Sequence, residues 1–467
     1  MTDAARGGPS ILLEPVPRAL LRLALPVLAS QSLRLGYQWV DAMWVKGLGV
    51  EATAAVTTSV FVMWCVFSIN DLFAVGLSAY VSQLVGAGER QRAGVAVRKA
   101  LTASCVMGLA SALAGLFGAR ALFALVDPAG AVVEQGSTYL RIVLLGAPFL
   151  MTAMTAETAM RAAGDTRTPL LVDTLSILLN VALAPVLIYG WGPAPRLGIA
   201  GAAWATVCAQ FVMVVCYAVL ALRRHAALPL AMRATGPPVR IRGLARVGVP
   251  AALIGILFSV VYLAFVRAAS PHGRAAVAIV GVANRIEAIQ FILSASIGFA
   301  GATLLGQALG AGRIERAEEV LRTAQRWALG IAAAFTVVLL AFPGAFLALF
   351  THDADLVAIG VPYLRVLAIT LVATGIEIAT AESVMGSGHT REMSAIYTVF
   401  SLLRIPLAFA VTRWWGAGVQ GIAWLITITC ILRAALLVGW AARGSWKRGL
   451  ARELHGELRT PDPGVAG

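Results

Sequence analysis

Charge is scarce in this chain. Of its 467 residues only 13% are Asp, Glu, Lys or Arg, while 59% are hydrophobic. Soluble domains are about a quarter charged and roughly half apolar. A water-soluble fold of this composition would expose patches that drive aggregation, and the same imbalance excludes intrinsic disorder. Lysine is rarest, with Lys46, Lys99 and Lys447 among 37 basic residues. The five cysteines, Cys65, Cys105, Cys208, Cys216 and Cys430, lie in apolar runs without a CxxC or a Cys/His cluster. Neither disulfides nor a metal site is expected; small buried side chains are the simpler reading. His225, His272, His352, His389 and His455 fall in loops or the tail. HExxH and a clustered carboxylate dyad are lacking, which argues against an enzyme. QLVGAGER (83–90) and QALGAGRI (307–314) lack the Lys-Ser/Thr ending of a phosphate loop and read as tight turns. No ATP site or other cofactor is expected. Residues 1–17 show no signal-peptide pattern.

What is abundant is apolar sequence in long runs. A helix needs about 20 residues to cross a ~30 Å hydrocarbon core. Twelve runs qualify, at 18–46, 52–80, 97–125, 138–160, 169–190, 197–222, 244–269, 276–305, 321–350, 359–386, 394–414 and 417–442. The period-two alternation of barrel strands is absent, so an all-α membrane protein is expected. Net charge is +14, but the basic residues cluster between the runs. With a cytoplasmic N-terminus, 25 fall on the inner side against 8 outside. This reads as topology, with both termini in the cytoplasm of a plasma (inner) membrane, and not as nucleic-acid binding.

The two halves repeat. Pro26 matches Pro250 at a spacing of 224, and SQLVGAG (82–88) matches GQALGAG (306–312). YLRIV (139–143) matches YLRVL (363–367), and Gly164, Thr166 and Arg167 match Gly388, Thr390 and Arg391. Near the ends the spacing slips to 220, pairing Gly198, Gly201 and Trp204 with Gly418, Gly421 and Trp424. Six spans per half make the repeats parallel, which suggests two lobes and alternating access. The expected division is an N-lobe at 1–228, a C-lobe at 229–445 and a cytoplasmic tail at 446–467.

Several segments together resemble the multidrug and toxic compound extrusion (MATE) family across about 15–445. They are the Pro26 helix ending in VDAMWVKGLG (40–49), the paired Q-x-x-G-A-G turns and RAAGDTRTP (161–169). LLNVALAPVLIYG (178–190), GIAGAAWATV (198–207) and NRIEAI (284–289) complete the set. The resemblance implies a monomeric exporter with twelve helices in two six-helix lobes. It implies antiport of amphipathic, often cationic, compounds against H⁺ or Na⁺. Asp41 resembles the main coupling carboxylate of the DinF-like branch. The family's fuller site adds an Asn and an Asp in N-x-x-x-D-P, and a Thr in the next helix. Asn180 and Thr206 match, but position 184 is Ala. A hard cation wants several oxygen ligands and charge compensation, so H⁺ is the expected ion.

The residues support a parallel reading. Gln31, Arg34, Gln38 and Asp41 share one face of the first helix. That face suits a cavity, and an ionisable group in a span is a functional candidate. Asp41 either cycles a proton or caps the helix end near Lys46. Pro26 permits a bend. Asn180 and Thr206 join the coupling set or simply pack helices; Asp173 reads as structural. Arg285 and Glu287 read as paired structural charges or as cavity lining, and Glu377 as a substrate or second-ion candidate. Glu157 and Glu382 recur in TAETAM and TAESVM. They suggest inner gates with Arg161, Arg167 or Arg391, or contacts to a cationic substrate. Arg404 stands where the first half has Asn180, so coupling is expected in the N-lobe alone. Tyr37, Trp44, Phe149, Met151, Met154 and Met160 suit a pliable cavity or plain packing. The competing function is a flippase for lipids or lipid-linked glycans, which would want a more cationic cavity.

Overall fold

The computed structural model describes residues 11–126, 132–192, 195–223, 239–351 and 353–450. The first ten residues, most of the linker between the halves and the tail beyond 450 lie outside them. Helices dominate: α1 Val16–Lys46, α2 Val50–Gly86, α3 Arg90–Val126, α4 Val133–Leu145, α5 Ala147–Ala163, α6 Arg167–Tyr189 and α7 Ile199–Leu222. The second half runs α8 Ile241–Ala269, α9 Arg274–Gly310, α10 Ile314–Ala341, α11 Pro343–Ala348, α12 Ala354–Met385, α13 Thr390–Phe409 and α14 Gly418–Ala442. Among the described residues there is no strand.

Among the described residues ten helices are each long and apolar enough to span a membrane, and the α4–α5 pair makes an eleventh. α1, over the first predicted run, has the length at 31 residues, but Arg18, Arg22, Arg34 and Asp41 lower its apolarity. The all-α fold of twelve spans is the one the sequence predicts. Helices satisfy their own backbone hydrogen bonds, which lipid cannot do. Phe117, Leu263 and Val337 are exposed apolar residues of the kind a bilayer covers.

Two spans differ from their predicted runs. The run at 138–160 is a helix pair bent by 47°. Gly146 separates the two, and α5 starts Ala147-Pro148, where proline's missing N–H costs nothing. The run at 321–350 breaks after Ala341, because Pro343 opens the short α11.

The repeated Q-x-x-G-A-G motif is a helix stop. Glu89 N–H donates to Leu84 O at 2.8 Å, and Arg313 N–H donates to Ala308 O at 2.8 Å. Gly88 (φ 80°) and Gly312 (φ 71°) take the left-handed conformation this turn needs.

Packing divides the chain into two compact units. One holds Leu25–Ala252; the other holds Leu12–Ala24 and the chain from Leu253 onward. The boundaries at 24/25 and 252/253 fall beside a proline inside a helix, Pro26 in α1 and Pro250 in α8. In the first unit the early turns of α8 press against α2. A Cβ on Gly76 would lie 2.2 Å from Leu244 O, and one on Gly248 would lie 2.0 Å from Leu72 O. Such contact needs glycine, as in other close membrane helix pairs. Basic side chains hold the segments ahead of α8 and α1. Lys99 Nζ donates to Val239 O at 2.7 Å in the first unit. In the second, Arg313 donates to Leu12 O at 3.0 Å and Arg316 to Glu14 O at 2.5 Å.

Candidate functional site

In the first unit α1 places its polar face against α5, α6 and α7. Tyr37, Asn180 and Thr206 converge. Thr206 Oγ1 donates to Ala202 O at 3.1 Å and accepts from Asn180 Nδ2 at 3.3 Å. Its third neighbour is the Tyr37 hydroxyl, 3.4 Å away. Since the threonine proton is committed to Ala202, Tyr37 is the donor.

Asp41 lies one turn beyond Tyr37 on the same face, within electrostatic reach of Tyr37 and Tyr139. Its Oδ1 is buried without a hydrogen-bond partner. The end of α1 is pinned beside it: Tyr189 Oη donates to Trp44 O at 2.7 Å, and Trp44 packs edge-on to Tyr189 and Trp191. Ala184 is fully buried, in an apolar cluster with Val45, Tyr139, Ile188 and Ala202. The position where the resemblance expects a second carboxylate is thus filled by apolar packing.

Deeper along α1, Arg34 binds two carboxylates. It donates to Glu157 Oε2 at 2.5 Å, and to Asp173 Oδ1 and Oδ2 at 2.9 and 3.0 Å. Ser30 donates to Asp173, and Arg161 pairs with Glu157. Glu157 and Arg161, expected together from the sequence, do pair, within a cluster that includes Arg34. Arg34 is an ion-pair partner of these carboxylates and not simply cavity lining. Asp173 is its other ligand.

Among the remaining candidates of this unit, Gln31 and Met154 are half-buried and Gln38 is exposed. Met151 is fully buried in the apolar cluster of Phe123, Leu140 and Leu144. It packs in that core.

The second unit carries its own buried charges. Glu377, fully buried, takes Arg433 at 2.5 and 3.2 Å through both oxygens. Arg433 also lies 4.4 Å over the Tyr397 ring. Glu287 accepts from the Tyr262 hydroxyl at 2.6 Å. Arg404 donates to Thr429 Oγ1 at 2.8 Å and approaches Cys430 Sγ at 2.9 Å. Arg285 lies over Phe350 at 6.0 Å. Glu382 packs beside Gly298 in α9, while Arg391 is exposed.

Sequence reasoning passed over Asp71, a half-buried carboxylate within α2, and Tyr217, a buried residue of α7. Rarity of charge in spans marks Asp71; the sequence holds no signal for Tyr217. Among the described residues no group of three or more His, Cys, Asp or Glu could hold a metal ion.

The MatE family model matches residues 26–186 and again 250–410, the same 224-residue spacing as the internal repeat. The chain belongs to this family. MatE proteins are multidrug efflux transporters, so this chain is a multi-pass membrane transporter. The FAD transporter of Shewanella oneidensis is 28% identical over 427 residues, 90% of this chain and 93% of that protein. The probable multidrug resistance protein NorM of Thermotoga maritima is 26% identical over 462 residues, covering 95% and 97%. A multidrug resistance MATE family transporter of the MOP superfamily, solved facing outward, shares the fold. It has a TM-score of 0.87 at 23% identity, over 98% of this chain and 100% of that one.

Proposed function

We propose that the chain is an H⁺-coupled antiporter that exports amphipathic organic compounds by alternating access, with Asp41 as the main coupling carboxylate. The observation that carries this reading is the lone Asp41 carboxyl, its Oδ1 buried without a hydrogen-bond partner. It lies one turn from Tyr37, whose hydroxyl meets Thr206 beside Asn180, with Ala184 where the resemblance places a second acid. One carboxyl can take and release a proton. A Na⁺ site wants more oxygen ligands and more negative charge. The placement of Asp41 supports the DinF-like branch, and Pro26 gives α1 a point of bending.

Gln31, Gln38, Tyr37 and Met154 are the proposed substrate contacts in the first unit, with Glu287 and Glu377 in the second. Carboxylates at such positions favour cationic compounds. Glu157–Arg161 and Glu382, with Arg391 at the start of α13, are proposed inner gates. The basic loop pattern supports both termini in the cytoplasm of the inner membrane, where the chain is proposed to act as a monomer. A second reading is an anionic planar substrate. Arg404, whose hydrogen bonds go to neutral acceptors, and the relative named FAD transporter favour it.

Transport in proteoliposomes under separate H⁺ and Na⁺ gradients tests the proposal. Asp41→Asn is expected to abolish transport driven by ΔpH. Undiminished transport by that variant refutes the role of Asp41, and activity that requires Na⁺ but ignores ΔpH refutes the proton assignment.

A further inference from the structure

The Asp41 site does not use the cluster deeper along α1. Glu157 and Asp173 are 2% and 1% exposed. Two carboxylates at that depth need cations or protons. Glu157 has two cations, Arg161 and Arg34. Asp173 has one, Arg34, and one neutral donor, Ser30. Both partners of Asp173 sit on α1, one turn apart, between Pro26 and Asp41. Movement of that stretch of α1 removes both at once.

The charges balance while α1 is in place: Arg34 and Arg161 against Glu157 and Asp173. Withdrawing Arg34 leaves one uncompensated negative charge in a water-poor environment, which is costly. A single proton restores neutrality. Glu157 still keeps Arg161, so Asp173 is the group that lacks a partner. From α7 the cluster is faced by Tyr217, whose buried hydroxyl has no partner and lies within electrostatic reach. It can hydrogen-bond a protonated Asp173.

We propose that Asp173 is a second proton-binding site, in which a proton replaces Arg34 and Ser30 when this stretch of α1 leaves α6. The proposal rests on the proton-coupled reading above. It makes the position of α1 and the protonation of Asp173 alternative states of one switch.

The test uses the full chain in proteoliposomes, with ΔpH-driven transport, substrate counterflow at equal pH and the pH profile of transport. Asp173→Asn is permanently neutral. It is expected to keep counterflow within about threefold of wild type and to lose at least tenfold in ΔpH-driven transport; Asp173→Glu restores part of the loss. Ser30→Ala removes one stabiliser of the ionised form and is expected to move the midpoint of the pH profile to higher pH. If Asp173→Asn matches wild type in ΔpH drive and pH profile, or loses counterflow and ΔpH drive in parallel, the site is refuted. If Asp173→Asn fails to fold, an unshifted Ser30→Ala profile refutes it instead. Wild type that ignores ΔpH overturns both readings. Wild type that needs ΔpH, with Asp41→Asn inactive and Asp173→Asn normal, overturns this one alone.

Discussion

Replacing Glu377 with Gln removes the counter-charge of Arg433 while leaving the volume nearly unchanged. Glu377 is fully buried, and both of its oxygens face the guanidinium at 2.5 and 3.2 Å. Breaking a buried pair by removing one partner costs about 3–5 kcal/mol, because the remaining charge is uncompensated. Arg433 keeps the Tyr397 ring at 4.4 Å, and a desolvated cation–π contact is worth about 2 kcal/mol. The expected loss is therefore at the lower end, about 3 kcal/mol, or about 150-fold in the ratio of folded to unfolded protein. Reversible unfolding in mixed SDS–detergent micelles measures it. The double variant Glu377→Gln/Arg433→Met removes both charges and is expected within about 1 kcal/mol of wild type. A single variant that loses less than about 1 kcal/mol, or a double variant no better than the single, refutes the assignment of this pair as internally compensated. Either result would favour the proposed contact of Glu377 with substrate over a closed pair with Arg433.

Tyr37→Phe deletes the donor to Thr206 and is expected to lower ΔpH-driven transport several-fold without changing expression. Equal transport by the variant and wild type would place Tyr37 outside the site. Gly248→Val puts a side chain where a Cβ already meets Leu72 O at 2.0 Å. Overpacking of this kind costs about 1–3 kcal/mol, read as a lower thermal midpoint in detergent, whereas Gly118→Val meets no neighbour and is expected to be neutral. Lys99→Ala frees the Val239 carbonyl, a charge-assisted bond worth about 1.5–3 kcal/mol. Limited proteolysis near residue 239 is expected to speed up accordingly.

The spans were legible because lipid demands about 20 apolar residues per crossing, and that requirement is written locally. The repeat was legible because its turns reuse the same stop, with Gly88 and Gly312 in one backbone conformation. The bend at Gly146 was not, since Gly-Ala-Pro within an apolar run is compatible with a straight helix until packing decides. Met151 and Met154 look alike in sequence, yet one is core and the other half-buried. The face shared by Arg34 and Asp41 could be read from helical spacing. The partners of Arg34 could not: Glu157 is 123 residues away and Asp173 is 139, and only the packing of α5 and α6 brings them there. For the same reason Asp173 read as structural, and Arg404 could not be matched to Thr429 and Cys430.

The repeat also shows where the halves part company. At the 224-residue spacing, Asp41 corresponds to Phe265, Asp173 to Tyr397 and Asn180 to Arg404. Phe265 is 1% exposed, inside the apolar core of the second unit. Tyr397 supplies a ring to Arg433 where Asp173 supplies a carboxylate to Arg34. The second unit thus lacks an acid at both equivalent places, and its buried Glu377 pairs with Arg433 within the unit. In the first unit the balance depends on α1, the helix that carries both Asp41 and Arg34. A duplicated scaffold needs the same turns and the same close contacts in both halves, so those positions stay alike. Driving transport by one gradient needs a charge that can be displaced, and in the proposed mechanism that exchange belongs to the first unit. On that reading the difference between the halves marks the coupling machinery more sharply than the residues they share.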